Sequence, residues 1–203
     1  RNYIGVSGGI MDQMISSIGV QGKAFFLDCL TLKYEFIDLP KDYCFELVDS
    51  EIQRDNRNSR YNERHDQLKK AEEILNVNNL GSVKIDQLDK NKFDDDLIYK
   101  RALHVVTENK RTLDAKIFIL SQDMKQFGNL MNLSHLSYSQ DFEASTEDVD
   151  LLTKRSIQSG ALGCRLTGGG FGGFTVSLIE KKYYDKWHNN MRVYYAEEKF
   201  FKV

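Results

Sequence analysis

Two short stretches hold residue types suited to phosphate and hydroxyl chemistry. Thr167-Gly168-Gly169-Gly170-Phe171-Gly172-Gly173 packs five glycines into seven residues. Glycine lets the backbone take positive φ and lets a ligand or another backbone come close. Successive free N–H groups can also form a nest for an anion such as phosphate. The same composition serves a hairpin loop packed tightly under a neighbouring element, and both uses stay open. Formally the stretch contains G-x-G-x-x-G, but a dinucleotide fold needs a helix directly afterwards. Here Phe174-Thr175-Val176-Ser177-Leu178-Ile179 follows and reads as a strand. A protein kinase places its glycine loop ahead of its other motifs, whereas only 30 residues follow Gly173.

The second stretch is Gly9-Ile10-Met11-Asp12-Gln13. Asp12 falls in the first turn of a helix whose apolar positions are Ile10, Met11, Met14, Ile15 and Ile18, with Gly19 as its close. One reading is a carboxylate placed to favour the helix dipole. The other is a carboxylate that takes a proton from a substrate hydroxyl. A helix N-terminus favours the charged form, so such a group acts by orienting the hydroxyl and accepting the proton late.

The elements that must position these stretches follow from periodicity. Residues 24–29, 34–39 and 44–48 are rich in aromatic and branched residues and read as strands. Tyr61, His65, Leu68, Ala71 and Leu75 then share one helical stripe. Residues 76–96 read as polar loop with a short apolar break. Leu97 to Ile117 predicts a long helix, and Met124 to Met131 another. Ser145, with Asp148 three residues on, is the expected N-cap of a further helix. Residues 162–167 and 174–179 read as strands, 183–191 as a helix, and 192–196 as a last strand. Helices in runs and strands in runs, without regular alternation, indicate an α+β fold.

Composition narrows the class. The chain has 203 residues, 41% hydrophobic and 29% charged, with a net charge of -2. That balance fits a folded globular protein and gives no excess positive charge for nucleic acid or anionic membrane. No apolar run is long enough to span a bilayer, so no membrane partner is expected. Cys29, Cys44 and Cys164 are odd in number, lack metal-ligand spacing and read as reduced thiols of a cytoplasmic protein. His65, His104, His135 and His188 are scattered, and no metal site is expected. His104 and His135 read as buried, hydrogen-bonded helix residues without chemistry. Ile4-Gly5-Val6 reads as the end of an element under way, so a natural N-terminal part is expected to precede Arg1.

With these residues in hand, the chain resembles the C-terminal half of the galactokinase family within the GHMP small-molecule kinases. Gly9-Ile10-Met11-Asp12-Gln13 with Lys23-Ala24-Phe25-Phe26-Leu27-Asp28-Cys29 looks like the family's catalytic segment. Leu162 to Gly173 looks like the superfamily's third signature. Arg60-Tyr61-Asn62-Glu63-Arg64, Arg101-Ala102-Leu103-His104-Val105-Val106, Ser134-His135 and Asp141-Phe142-Glu143 fit the same family in order and spacing. The resemblance implies Asp12 as the catalytic carboxylate facing the sugar C1 hydroxyl. It implies that Gly9, through its backbone, and Tyr61, through its hydroxyl, line a galactose pocket. The loop of Gly168, Gly169, Gly170, Gly172 and Gly173 would support the phosphate site. ATP with Mg²⁺ would be the donor, galactose the acceptor, and the protein a monomer.

The resemblance also implies architecture. Residues 1–48 would be the remainder of an S5-like N-terminal domain carrying Asp12. Residues 49–203 would be a ferredoxin-like C-terminal domain, an antiparallel sheet with helices on one side. Gly8 stands where a cysteine is usual, and Asp141 to Asp150 lacks a common Cys-Pro pair. The family's first signature and its Ser-rich phosphate loop would precede Arg1, so the isolated chain is expected not to turn over ATP. The alternatives are an N-acetylgalactosamine kinase and a non-catalytic sugar and ATP sensor.

Overall fold

Alternation along residues 43–49 sets the architecture. Tyr43, Phe45 and Leu47 point to one side of a strand, and Cys44, Glu46 and Val48 to the other. Both sides must be covered, so this strand sits inside a sheet. The computed structural model describes residues 10–52 and 57–203, without the side chains of 57–59 and 61. In chain order its helices are α1 (Met11–Ile18), α2 (Arg57–Leu75), α3 (Asp96–Leu120), α4 (Met124–Gln140), α5 (Glu147–Ser159) and α6 (Tyr184–Met191). Its strands are β1 (Lys23–Leu27), β2 (Tyr34–Asp38), β3 (Tyr43–Asp49), β4 (Gly163–Leu166), β5 (Phe174–Glu180) and β6 (Phe200–Lys202).

The main sheet has the order β4-β5-β3-β6. All its pairs are antiparallel, with β3 running against β5 from Tyr43↔Glu180 to Asp49↔Phe174. Residues 43–49 therefore form an inner strand of the sheet that also holds the two strands around the glycine loop. Helices also cover both faces rather than one. Cys44, Val48 and Ile179 pack with Leu152 of α5 and with Trp187 and Met191 of α6. On the opposite face Phe45, Val176 and Leu178 pack with Met124, Phe127 and Met131 of α4. A sheet whose two faces are both apolar requires this second cover. Helix α4 comes closest at Gly128, where a Cβ on Gly163 would lie 2.3 Å from the Gly128 carbonyl oxygen.

A separate helical layer joins α2 and α3. Ala71, Ile98, Ala102 and Val106 share a core with Leu80, Val83, Leu88 and Phe93. Those last four lie in the 76–96 segment, which is not plain loop but contains three short 3-10 turns. Caps explain several boundaries. Asp95 accepts from the Leu97 amide at 2.8 Å to start α3. Helix α5 is capped by Thr146, which accepts from the Val149 amide, one residue later than expected. Ser145 instead donates to Asp150 Oδ1 at 2.5 Å.

The expected strand at 192–196 is a turn: the Tyr194 and Tyr195 amides both donate back to the Met191 carbonyl. The last strand is β6, which pairs with β3 from Glu46 to Val48. Val193-Tyr194-Tyr195 has strand composition but follows α6 too closely to reach that edge.

Ahead of the main sheet, β1 and β2 form a hairpin in the register Lys23↔Asp38 to Leu27↔Tyr34. Asp28 Oδ1 accepts from the Leu30 and Thr31 amides to shape its turn. A two-stranded hairpin is marginal alone. Here it leans on α3, where the Lys116 ammonium pairs with Glu35 and lies 4.9 Å above the Phe26 ring. Helix α1 buries none of its residues.

Candidate active site

The glycine-rich loop joins β4 to β5 and is held at its neck by the Thr167 amide, which donates to the Phe174 carbonyl at 2.9 Å. The Ser50 amide donates to the Gly173 carbonyl at 2.9 Å and ties the loop to the end of β3. Gly168, Gly170, Gly172 and Gly173 all take positive φ, as does Phe171 at 59°. A Cβ on Gly170 would lie 2.5 Å from the Ala144 carbonyl oxygen, and one on Gly172 would lie 2.7 Å from that of Ile52. The two uses left open by the sequence thus divide along the loop. Gly170 and Gly172 are glycines because other backbone approaches them, whereas Gly168 and Gly169 are exposed and accessible to a ligand.

Phe171 is the loop's anchor. Its ring is buried, and its amide donates to the Ala144 carbonyl at 2.7 Å. The guanidinium groups of Arg60 and Arg64 lie 5.5 and 6.0 Å from its ring centre, within cation–π range. This contact brings the first turns of α2 against the loop.

Beneath it lies a buried polar network. Arg101 of α3 is fully buried. It donates to Gln67 Oε1 at 3.0 Å, to Glu143 Oε2 at 2.7 Å and to the Asp141 carbonyl. Arg64 of α2 donates to the Phe142 carbonyl at 2.8 Å and to the Glu143 carbonyl at 3.2 Å. The Arg101 hydrogen bond holds the Glu143 carboxyl below its usual range. Burial pushes the Arg64 guanidinium down, yet arginine stays charged at any working pH.

His104 and His135 are packed and hydrogen-bonded within the fold. Ser137 Oγ donates to Asp141 Oδ2 at 2.7 Å, so at 3.0 Å it accepts from His104 Nδ1. The His104 ring also stacks on Phe142, 4.7 Å between centres. Burial, outweighing the attraction of Glu108, holds His104 down to about 4. His135 Nδ1 accepts from the Leu166 amide of β4, and its Nε2 lies 3.0 Å from Asp150 Oδ1. Burial lowers His135 as well, against the pull of Asp150. Burial alone would raise Glu108, but Arg165, the Ser134 hydroxyl and Arg111 outweigh it and hold its carboxyl low.

A pH dependence follows. His104 titrates near 6.5 when unfolded and near 4 when folded, so the unfolded chain binds the proton more tightly. The stability this neutral ring contributes is complete above pH 6.5 and falls progressively toward pH 4. Between pH 7 and pH 5 the loss from this group is about 2 kcal/mol. Urea unfolding at the two pH values checks it: a His104→Gln variant should show a pH difference smaller by about that amount.

The sequence-derived site residues are placed as follows. Asp12 is exposed in the first turn of α1 and makes no ion pair among the described residues. The N-cap, Ile10, offers no side-chain cap. Tyr61 lies in α2 between Arg60 and Arg64, so its turn borders the loop, but its side chain is outside the described portion. Gly9 lies outside the described residues. Because α1 buries nothing, no packing among the described residues holds Asp12 against the loop. Sequence reasoning gave no role to Arg64 and Arg101. The signal was present: each lies on an apolar helical stripe, Arg101 with Ile98 and Ala102, Arg64 with Leu68 and Ala71. A charge on a buried face requires internal partners. No cluster of three or more metal-ligating side chains occurs among the described residues, nor a helix long and apolar enough to cross a membrane.

Residues 115–191 match the family of GHMP kinases C terminal domains. The galactokinase of Clostridium acetobutylicum is 36% identical over 98% of this chain and 53% of its own length. That of Fusobacterium nucleatum is 37% identical with the same coverage. The chain thus spans about half the length of the curated relatives it matches. The crystal structure of Lactococcus lactis galactokinase complexed with galactose superposes with a TM-score of 0.92 at 31% identity. That superposition covers 99% of this chain and 55% of the other.

Proposed function

We propose, for a chain that is in sequence and fold a relative of the galactokinases, that the whole protein transfers the γ-phosphate of ATP to the C1 hydroxyl of galactose. The observation that carries this reading is the likeness to a galactose-bound galactokinase over 99% of the chain. That span includes both the Asp12 segment and the glycine loop. In the proposed step the C1 oxygen attacks the γ-phosphorus while the bond from that phosphorus to the β–γ bridging oxygen breaks. The proton of the C1 hydroxyl passes to Asp12, and ADP leaves with the bridging oxygen. Asp12 orients the hydroxyl and takes the proton late, as suits a loose phosphoryl-transfer transition state.

Gly9 through its backbone and Tyr61 through its hydroxyl contact the sugar. The exposed amides around Gly168 and Gly169 lie by the phosphates, with Gly170, Gly172 and Gly173 holding the loop in shape. Mg²⁺ arrives as MgATP, the substrate, and neutralises phosphate charge when bound. The domain carrying Asp12 and the domain carrying the loop form the two walls of the site, the second beginning at β3. We place the protein in the cytoplasm as a monomer.

The test is turnover by the full-length protein with MgATP and either galactose or N-acetylgalactosamine, read as ADP release. Galactose 1-phosphate as the preferred product is expected. Preference for the acetylated sugar assigns the protein to that kinase instead. Sugar binding without ADP release assigns it to the non-catalytic sensors.

A further inference from the structure

Four successive carbonyls, those of residues 141–144, have their partners on the α2, α3 and glycine-loop sides. The Asp141 carbonyl accepts from Arg101 Nη1, and the Phe142 carbonyl from Arg64 Nε at 2.8 Å. The Glu143 carbonyl accepts from Arg64 Nη2 at 3.2 Å, and the Ala144 carbonyl from the Phe171 amide at 2.7 Å. Glu143 sits at φ 50°, and its carboxylate returns to Arg101 at 2.7 Å. The segment linking α4 to α5 is thus gripped by two guanidinium groups on one side and by the glycine loop on the other. Gly170 closes against the same Ala144 carbonyl and against the Tyr138 hydroxyl, which would lie 2.8 Å from an added Cβ.

We propose that Arg64 and Arg101 are positioning residues for the glycine loop. They fix residues 141–143, and so the Ala144 carbonyl, at the place that anchors Phe171 and aims the Gly168 and Gly169 amides. The device needs the planar arginine fork. Arg64 spans two adjacent carbonyls from one rigid group, and Arg101 spans a carbonyl, an amide oxygen and a carboxylate. A lysine keeps the charge but cannot hold that geometry. A half-exposed loop acid is itself a poor anchor, but here it completes the Arg101 shell. The effect on catalysis rests on the kinase reading above, whereas the effect on the loop does not.

Hydrogen exchange on the full-length protein tests the first link, with Arg101→Lys and the milder Glu143→Gln as variants. The Phe171 amide should exchange about tenfold faster in either, as befits one weakened charge-assisted hydrogen bond. The Val176 and Leu178 amides of β5, which report opening of the sheet, should accelerate less. Acceleration of all three by one common factor would mean that the arginines only stabilise the domain, and the proposal falls. If Arg101→Lys does not fold, Glu143→Gln decides alone, because its side chain is half exposed. The second link is read in the full-length enzyme. The variants should lose about tenfold in kcat/KM for ATP with the galactose KM within about twofold. Unchanged ATP parameters overturn the positioning role. A wild-type protein that phosphorylates no sugar overturns the kinase reading and leaves the exchange result standing.

Discussion

On the kinase reading proposed above, replacing Asp12 by Asn in the full-length protein is expected to lower kcat by about 10²–10⁴-fold and to leave galactose binding within a few-fold. The substitution keeps the side chain's size and one accepting oxygen but removes the carboxylate that, on that reading, takes the proton of the C1 hydroxyl. Two alternative roles for the carboxylate predict much less. As a partner of the helix dipole in the first turn of α1 it would be worth about 0.3–1 kcal/mol. As an N-cap it would be worth about 1 kcal/mol, but the N-cap position is Ile10 and carries no side-chain cap. The catalytic role corresponds to about 3–5 kcal/mol of barrier, so the size of the effect decides between them. Steady-state ADP release gives kcat, and titration calorimetry with galactose gives binding. A variant retaining more than about a tenth of wild-type kcat would remove Asp12 from the reaction.

Trp187→Ala should cost about 3–5 kcal/mol of folding stability. Trp187 is fully buried in the layer where α5 and α6 meet β3 and β5, packed with Val48, Leu152, Ile179 and Met191. Its indole N–H donates to Ser156 Oγ at 3.0 Å. Ser156 and Ser177 share a hydrogen bond of 2.7 Å, and Ser177 donates to Cys164 Sγ at 3.3 Å. Truncation would open a cavity and break the outer end of this chain of buried hydroxyls. Trp187→Phe separates the two contributions, since it keeps most of the packing and should lose only about 1–2 kcal/mol. Urea unfolding of the two variants reads the difference. A domain of this size has about 5–15 kcal/mol in all, so the alanine variant should unfold at markedly lower urea. A loss below about 1 kcal/mol would mean that the layer collapses around the gap.

Much of the fold was legible because its elements carry their own period. α1, α3, α4 and the two strands around the loop lie where apolar spacing and glycines place them. The misreadings share a cause. Val193-Tyr194-Tyr195 has strand composition, but a strand exists only where an edge accepts it, and Phe200–Lys202 takes that edge on β3. Ser145 and Thr146 are both good caps, and the choice between them was made by Asp150, which binds the Ser145 hydroxyl. β3 is contiguous in sequence with β1 and β2, yet its ladder runs to β5, more than a hundred residues away.

What the amino-acid sequence determined by itself is local: the helices and strands, the glycine loop, and the carboxylate of Asp12 at a helix start. Each depends on residues within a few positions of one another. Tertiary structure alone decided which loop glycines face backbone and which face solvent, that both faces of the sheet carry helices, and that Arg64 and Arg101 meet the 141–144 segment. These depend on which distant surfaces come together, and a buried charge shows its purpose only when the groups that neutralise it arrive from other parts of the chain.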